Sequence, residues 1–249
     1  MLNGIYNNAS TLSSLERWQE NISRNMSASQ TAGYKRTQFS LAGEEGGQTQ
    51  PGAANASSNS TSMAKSVSRI DHTPGAIQRT DKPTDFAIDG PGFFQIQDTA
   101  GKTVYTRNGE FHFNNANTIV NQNGRPLLGE GGPIIVDPNQ GPISVAEDGS
   151  ISQGQNLLGK IPLFDFPNGS KDLVQTQGGF LPKNGIAPAP VEKPSIVQGA
   201  IESSNVSAMT EMINLIMVSN AYQASQKLIS SHDQLMGQAI QTLGAPPQG

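Results

Sequence analysis

The sequence predicts an α+β fold in which a long N-terminal helix and a long C-terminal helix pair as a coiled coil, with a central all-β domain inserted between them. Three observations carry that expectation. All sixteen prolines lie at 51–194 or at Pro246 and Pro247, so blocks 1–50 and 195–245 are free of the residue that breaks helices. Both blocks carry an apolar stripe at helical spacing. Between them, short alternating runs are separated by Asx-Gly pairs, the strongest short-range hairpin signal.

In the first block Ile5, Leu12, Leu15, Ile22 and Met26 recur at steps of seven, three, seven and four, and the helix is expected to stop near Ala32-Gly33. Residues 1–36 are thus read as the N-terminal helix of an inner helical domain. Residues 37–83 form an expected extended linker and loop region. Within it, 42–66 holds almost no bulky apolar side chain before Met63.

The all-β domain is expected over 84–186. Its runs include Phe93–Ile96, Val104–Thr106, Phe111–Phe113, Ile134–Val136 and Ile143–Val145. Its turns fall at Asp89-Gly90, Asn108-Gly109, Asn123-Gly124, Asp148-Gly149, Asn168-Gly169 and Asn184-Gly185. A proline-rich connector, 187–202, leads to the C-terminal helix, expected over 203–249 with Ser203-Ser204-Asn205 as capping side chains. Its stripe is Val206, Met209, Ile213, Met217, Ala221, Ala224, Leu228, Leu235 and Leu243.

Charge narrows the function. Sixteen Lys+Arg against twenty Asp+Glu give −4, which argues against a nucleic-acid binder needing clustered cations. Charged residues make up only 14% of the chain, and between Val206 and Leu243 they are only Glu211, Lys227 and Asp233. A freely solvated helix carries more ion pairs, so the outer faces of the terminal helices are expected to meet other protein. There is no cysteine for a disulfide or a thiolate site. No run approaches the ~20 apolar residues of a membrane span, and Met1–Asn8 shows neither the basic nor the apolar region of a cleaved signal peptide.

No catalytic constellation emerges. Ser230-Ser231-His232-Asp233 are neighbours on a predicted helix and face different ways, so they cannot form a relay. Gly129-Glu130-Gly131-Gly132-Pro133 lacks the Gly-Lys-Ser/Thr ending of a phosphate loop. The expectation is no enzyme, no cofactor, no metal site and no small-molecule substrate.

Three ordered motifs do carry a resemblance. Asn25, Thr31, Gly33, Tyr34 and Lys35 lie in the first, which runs from Asn25 to Arg36. The second comprises Thr73-Pro74-Gly75, then Asp85–Phe94 with Gly92, Phe93 and Phe94, then Tyr105–Phe111. The third runs from Gly199 to Val206 through Asn205, and continues to Glu211, Tyr222, Lys227 and Asp233. In these the chain resembles the flagellar axial proteins, specifically the basal-body rod proteins, and is most similar to the proximal-rod type with the distal-rod type as the near alternative.

The resemblance implies a structural subunit that assembles helically with copies of itself and with other rod proteins and transmits torque. It further implies exit through the flagellar type III export apparatus and residence in the periplasmic span of the basal body. A hook-like subunit or a secreted adhesin are the other readings. The expected assembly seam is Ile5, Leu12, Leu15, Ile22 and Met26 with Val206, Met209, Ile213, Met217, Leu228 and Leu235.

Overall fold

A computed structural model of the chain describes residues 2–43, 64–166, 172–176, 178–183 and 186–244, and the side chains of residues 10–40 and 67–238 within them. The chain forms two compact units. The first comprises 1–26, 37–68 and 207–249; the second comprises 27–36 and 69–206.

The first unit is built from helix α1 (Leu2–Ser27), the antiparallel pair β1 (Thr37–Gly43) and β2 (Ala64–Ile70), and helix α2 (Ala208–Gly244). Helix α1 stops at Ser27, short of the expected Ala32-Gly33. Asn25, buried near the helix end, explains the stop: its side chain takes the amide of Thr37 and donates to the Thr37 carbonyl, both at 3.0 Å, so the helix ends where it begins to hold a strand. Trp18 then stacks on Phe39 with ring centroids 6.1 Å apart.

The expected coiled coil does not form. The two helices touch through one small cluster in which Leu15, Ile22 and Val218 are buried and Trp18, Leu215 and Tyr222 pack around them. The Tyr222 hydroxyl also donates to Glu16 at 3.3 Å. At about 100° per residue, Leu215, Val218 and Tyr222 lie on the side of α2 opposite the stripe read from the sequence. That stripe faces outward: Met209, Ile213, Met217, Leu228 and Leu235 are each more than half exposed. Helix α2 is apolar on both sides, and a period that fits two faces cannot say which one meets α1.

The start of α2 also moves. Ser207 caps it, accepting from the Thr210 amide through its hydroxyl and from the Glu211 amide through its carbonyl, while Ser203-Ser204-Asn205 lie ahead of the helix.

The second unit is almost entirely β. After β3 (Ile77–Arg79) and β4 (Phe86–Ile88) come β5 (Phe94–Gln97), β6 (Thr103–Thr106), β7 (Phe111–Phe113) and β8 (Ile119–Asn121). Two short strands follow, β9 (Leu128–Gly129) and β10 (Gly132–Pro133), and then the meander β11 (Ile143–Val145), β12 (Ser150–Gln153), β13 (Asn156–Lys160). The remainder are β14 (Phe164–Asp165), β15 (Leu173–Thr176), β16 (Gly179–Pro182), β17 (Ala189–Pro190), β18 (Ile196–Gln198) and β19 (Ala200–Glu202). The largest sheet has the antiparallel order β15-β16-β6-β5, and β18 pairs with β4 while β19 pairs with β3. Ile134–Val136, expected as a strand, contributes only a bridge from Ile135 to Thr118.

Side-chain alternation at β5 divides the core in two. Phe94 and Ile96 enter the main cluster with Phe86, Phe111, Leu127 and Ile161. Phe93 enters a second, aromatic cluster with Tyr105, Phe166, Leu173 and Phe180. The proline-rich connector is not free chain, because β17 pairs with β14 and the Val191 amide donates to Leu163.

The Asx-Gly pairs turn the chain, but not as type I′ hairpins, which need positive φ at both central residues. Among the described residues only Asp81 and Asn117 adopt positive φ without being glycine. At Asp148-Gly149, between β11 and β12, the carboxylate takes the Ser150 amide and only Gly149 is left-handed, at φ +85°. Gly109 is needed for another reason. A Cβ there would stand 1.6 Å from the Phe86 carbonyl oxygen, because the Phe86 amide donates back to Gly109 at 3.0 Å. Asn168-Gly169 and Asn184-Gly185 lie outside the described residues.

Gly109→Ala should therefore cost about 3 kcal/mol by crowding backbone against backbone. Gly124→Ala, at φ +74° with open space around it, should cost only about 1–2 kcal/mol. Urea unfolding of the two variants checks the order.

Candidate functional site

Positions from all three sequence motifs meet at one buried carboxylate. Glu202, at the end of β19, is 1% exposed. Its Oε1 accepts from Lys35 Nζ at 2.6 Å and from the Gly75 amide at 2.8 Å; its Oε2 accepts from Arg107 Nη1 at 3.1 Å. Its backbone carbonyl takes the Gly33 amide at 2.6 Å. Lys35 Nζ also donates to the Thr73 carbonyl at 2.9 Å, and Arg107 Nη2 donates to the Gly90 carbonyl at 2.7 Å while the guanidinium lies over the Phe93 ring.

Beside this junction Asn205 makes a second one. Its Oδ1 takes the Arg36 amide at 2.7 Å, and its Nδ2 points at the carbonyls of Asp71 and Thr73, at 2.9 and 3.0 Å. Each bond joins a different stretch of chain: 33–36 after α1, 71–75 after β2, and 202–205 before α2. These are three of the places where unit two's chain segments end. The junction closes the unit by tying its loose ends together.

Local sequence explains why each group arrives. Gly33, at φ +65°, lets the backbone pass within reach of Arg107; a Cβ there would lie 2.2 Å from the Arg107 carbonyl carbon. Thr31 supplies the carbonyl that the Tyr34 amide caps, and the Tyr34 carbonyl receives the Asn205 amide at 3.4 Å. Gly92, at φ +114°, lets the chain close against Val191 and Leu163 before Phe93 and Phe94 diverge into the two cores.

Burial pushes the Lys35 ammonium below its usual range, opposed by its hydrogen bond to Glu202. Burial likewise lowers Arg107, again opposed by Glu202. Two cations share one carboxylate out of water, so its loss would strand both.

The sequence reading names Lys35, Gly33 and Asn205 at this junction but does not give Glu202 and Arg107 their role. A lone acid in the otherwise uncharged stretch Gly199-Ala200-Ile201 was the available signal, since such residues are almost never fully buried unless paired. Of the other motif residues, Asn25 and Tyr222 belong to unit one. Of the seam residues, Leu15 and Ile22 are buried, and Leu12, Met26 and Val206 are half-buried. Ile5 lies in α1 outside the described side chains. Among the described residues no three His, Asp or Glu side chains are grouped to hold a metal, and no helix is long and apolar enough to cross a membrane.

Glu202→Gln should destabilise unit two by about 3–5 kcal/mol, because the charge partner of two buried cations is removed. Arg24→Ala, which breaks the exposed pair with Glu20, should cost less than about 1 kcal/mol. Chemical denaturation followed by tyrosine fluorescence checks the contrast.

Comparison with known proteins identifies the family of the chain. Residues 87–153 match the family described as the flagellar hook protein FlgE/F/G D1 domain, and 197–242 match the flagellar basal body rod FlgEFG protein C-terminal family. The flagellar basal-body rod protein FlgF of Mesorhizobium japonicum is 33% identical over 249 residues, covering 98% of this chain and 99% of its own. FlgF of Caulobacter vibrioides is 33% identical over 252 residues with the same coverage. The rod protein FlgG of Buchnera aphidicola from Acyrthosiphon pisum is 35% identical over 184 residues, 69% of each chain. Aligned over nearly its whole length at this identity, the chain belongs to the flagellar basal-body rod proteins.

Proposed function

We propose that this chain is a structural, non-enzymatic subunit of the flagellar basal-body rod, of the FlgF type and in the proximal rod. It assembles with copies of itself and with other rod proteins through the outward face of α2. The observation that carries this reading is the apolar arc left open on that helix. Met209, Met212, Ile213, Ile216, Met217, Leu228 and Leu235 are all between 47% and 68% exposed. They cover close to half of the circumference of a helix about 55 Å long. An exposed apolar surface of that extent marks a protein interface, and the sparse charge along the helix removes the cost of dehydrating it. Within the helical assembly, long helices aligned with the axis resist twisting and so pass on torque.

The expected seam is kept here as a proposal, with its members in two roles. Leu15 and Ile22 hold α1 to α2 within the subunit, and Met209, Ile213, Met217, Leu228 and Leu235 meet neighbours. Leu12, Met26 and Val206 are half-buried, and Ile5 lies in α1 outside the described side chains. The subunit leaves the cytoplasm through the flagellar type III export apparatus and resides in the periplasmic span. Full-length similarity to FlgF proteins supports that placement.

Met217→Asp and Leu228→Asp should leave the unfolding free energy of the isolated full-length chain within about 0.5 kcal/mol of the parent, because both positions are exposed. Each should abolish swimming when supplied to a strain lacking the gene, and electron microscopy should show basal bodies without a complete rod. Normal swimming by both variants would overturn the reading.

A further inference from the structure

We propose that His72 is an acid-operated release for the loop 71–75. When neutral, its ring is wedged between Phe93 and Phe180. When protonated it leaves the wedge and draws Thr73 and Gly75 away from Lys35, Asn205 and Glu202.

The geometry behind this is a histidine held by rings alone. Its ring centroid lies 5.8 Å from that of Phe93, nearly perpendicular to it, and 5.7 Å from that of Phe180. Both ring nitrogens are buried, and neither has a hydrogen-bond partner among the described residues. A neutral imidazole so placed leaves one N–H unsatisfied; an imidazolium would leave two, and a full charge out of water.

The surrounding charges oppose protonation as well. Lys35, from the segment after α1, and Arg107, from the segment after β6, are the facing cations. Glu202 of β19 is already engaged by both of them. The nearby acids are Asp71, next in the chain, and Asp165 of β14, whose Oδ1 accepts from the Phe166 amide. Burial first, then Lys35 and Arg107, hold His72 below its ordinary value of 6.5, with the two aspartates opposing. The contact of a protonated ring with Phe93 offsets only part of this, because the Arg107 guanidinium already lies over that ring.

The loop carrying His72 is also the loop that the junction grips. Thr73 offers its carbonyl to Lys35 and Asn205, and Gly75 gives its amide to Glu202. Since the closed loop binds protons less well than the open one, closure is favoured fully above about pH 6.5 and is lost progressively as pH falls below it. The opening equilibrium rises by up to about tenfold for each pH unit below that value, the limit for a single proton.

The test is NMR on the full-length chain between pH 7.5 and 5.5, above the range in which ordinary carboxylates titrate. The His72 ring should titrate below 6.5, the ordinary value of a free imidazole. Protection of the Gly75 amide, corrected for intrinsic exchange, should fall by up to about tenfold per unit below pH 6.5 in wild type and stay constant in His72→Phe. Two results overturn the proposal: a His72 ring that titrates at or above 6.5, or Gly75 protection that does not respond to pH. The ring titration is read on the unmodified chain, so it decides the matter even if His72→Phe fails to fold.

Discussion

A single carboxylate out of water, shared by two cations and one amide, is the constraint on which the second unit depends. Desolvating Glu202, Lys35 and Arg107 is costly, and the cost is offset by the two ion pairs and the backbone hydrogen bonds that hold these groups in one arrangement. That arrangement requires residues 35, 75, 107 and 202 to meet. A hydrophobic contact would tolerate sliding; a buried charge does not. The aromatic and aliphatic clusters supply the bulk of the burial, while the junction decides which backbone segments lie beside one another at the unit's open ends.

Helix α2 obeys a different logic. One side, Leu215, Val218 and Tyr222, meets α1, and the opposite side is apolar and exposed among the described residues. A helix that is apolar on both sides is suited to a layer inside a larger body. Three formal charges over thirty-eight residues, Glu211, Lys227 and Asp233 between Val206 and Leu243, point the same way, because little hydration is lost when neighbours close around it. Stability within the subunit and readiness to assemble are thus carried by two faces of one element.

Much of this was legible in the residues, and the limits have physical causes. Proline placement marked out the two helices because one ring suffices to break a helix. The runs around Phe94, Val104, Phe111 and Ile143 read as strands because alternation of side chains is a local property. The helix-helix pairing was misread because the stripe containing Met217 and Leu228 is as regular as the one containing Leu215 and Val218. Only the position of α1 distinguishes them. Gly109 was read as a turn residue although its real role is to admit the Phe86 backbone, a contact between positions twenty-three apart. Glu202 was visible as part of a motif, but its two partners lie 167 and 95 positions away, and no local pattern encodes that meeting.

Amide hydrogen exchange at Gly33 in the intact chain at pH 7.5 tests the central claim most directly. That amide donates to the Glu202 carbonyl inside the junction. The account predicts that it exchanges as slowly as the core amide of Phe86, through the same cooperative opening. Exchange at the rate of the exposed turn amide of Gly101 would show that the ends of the unit fray independently, and would contradict it.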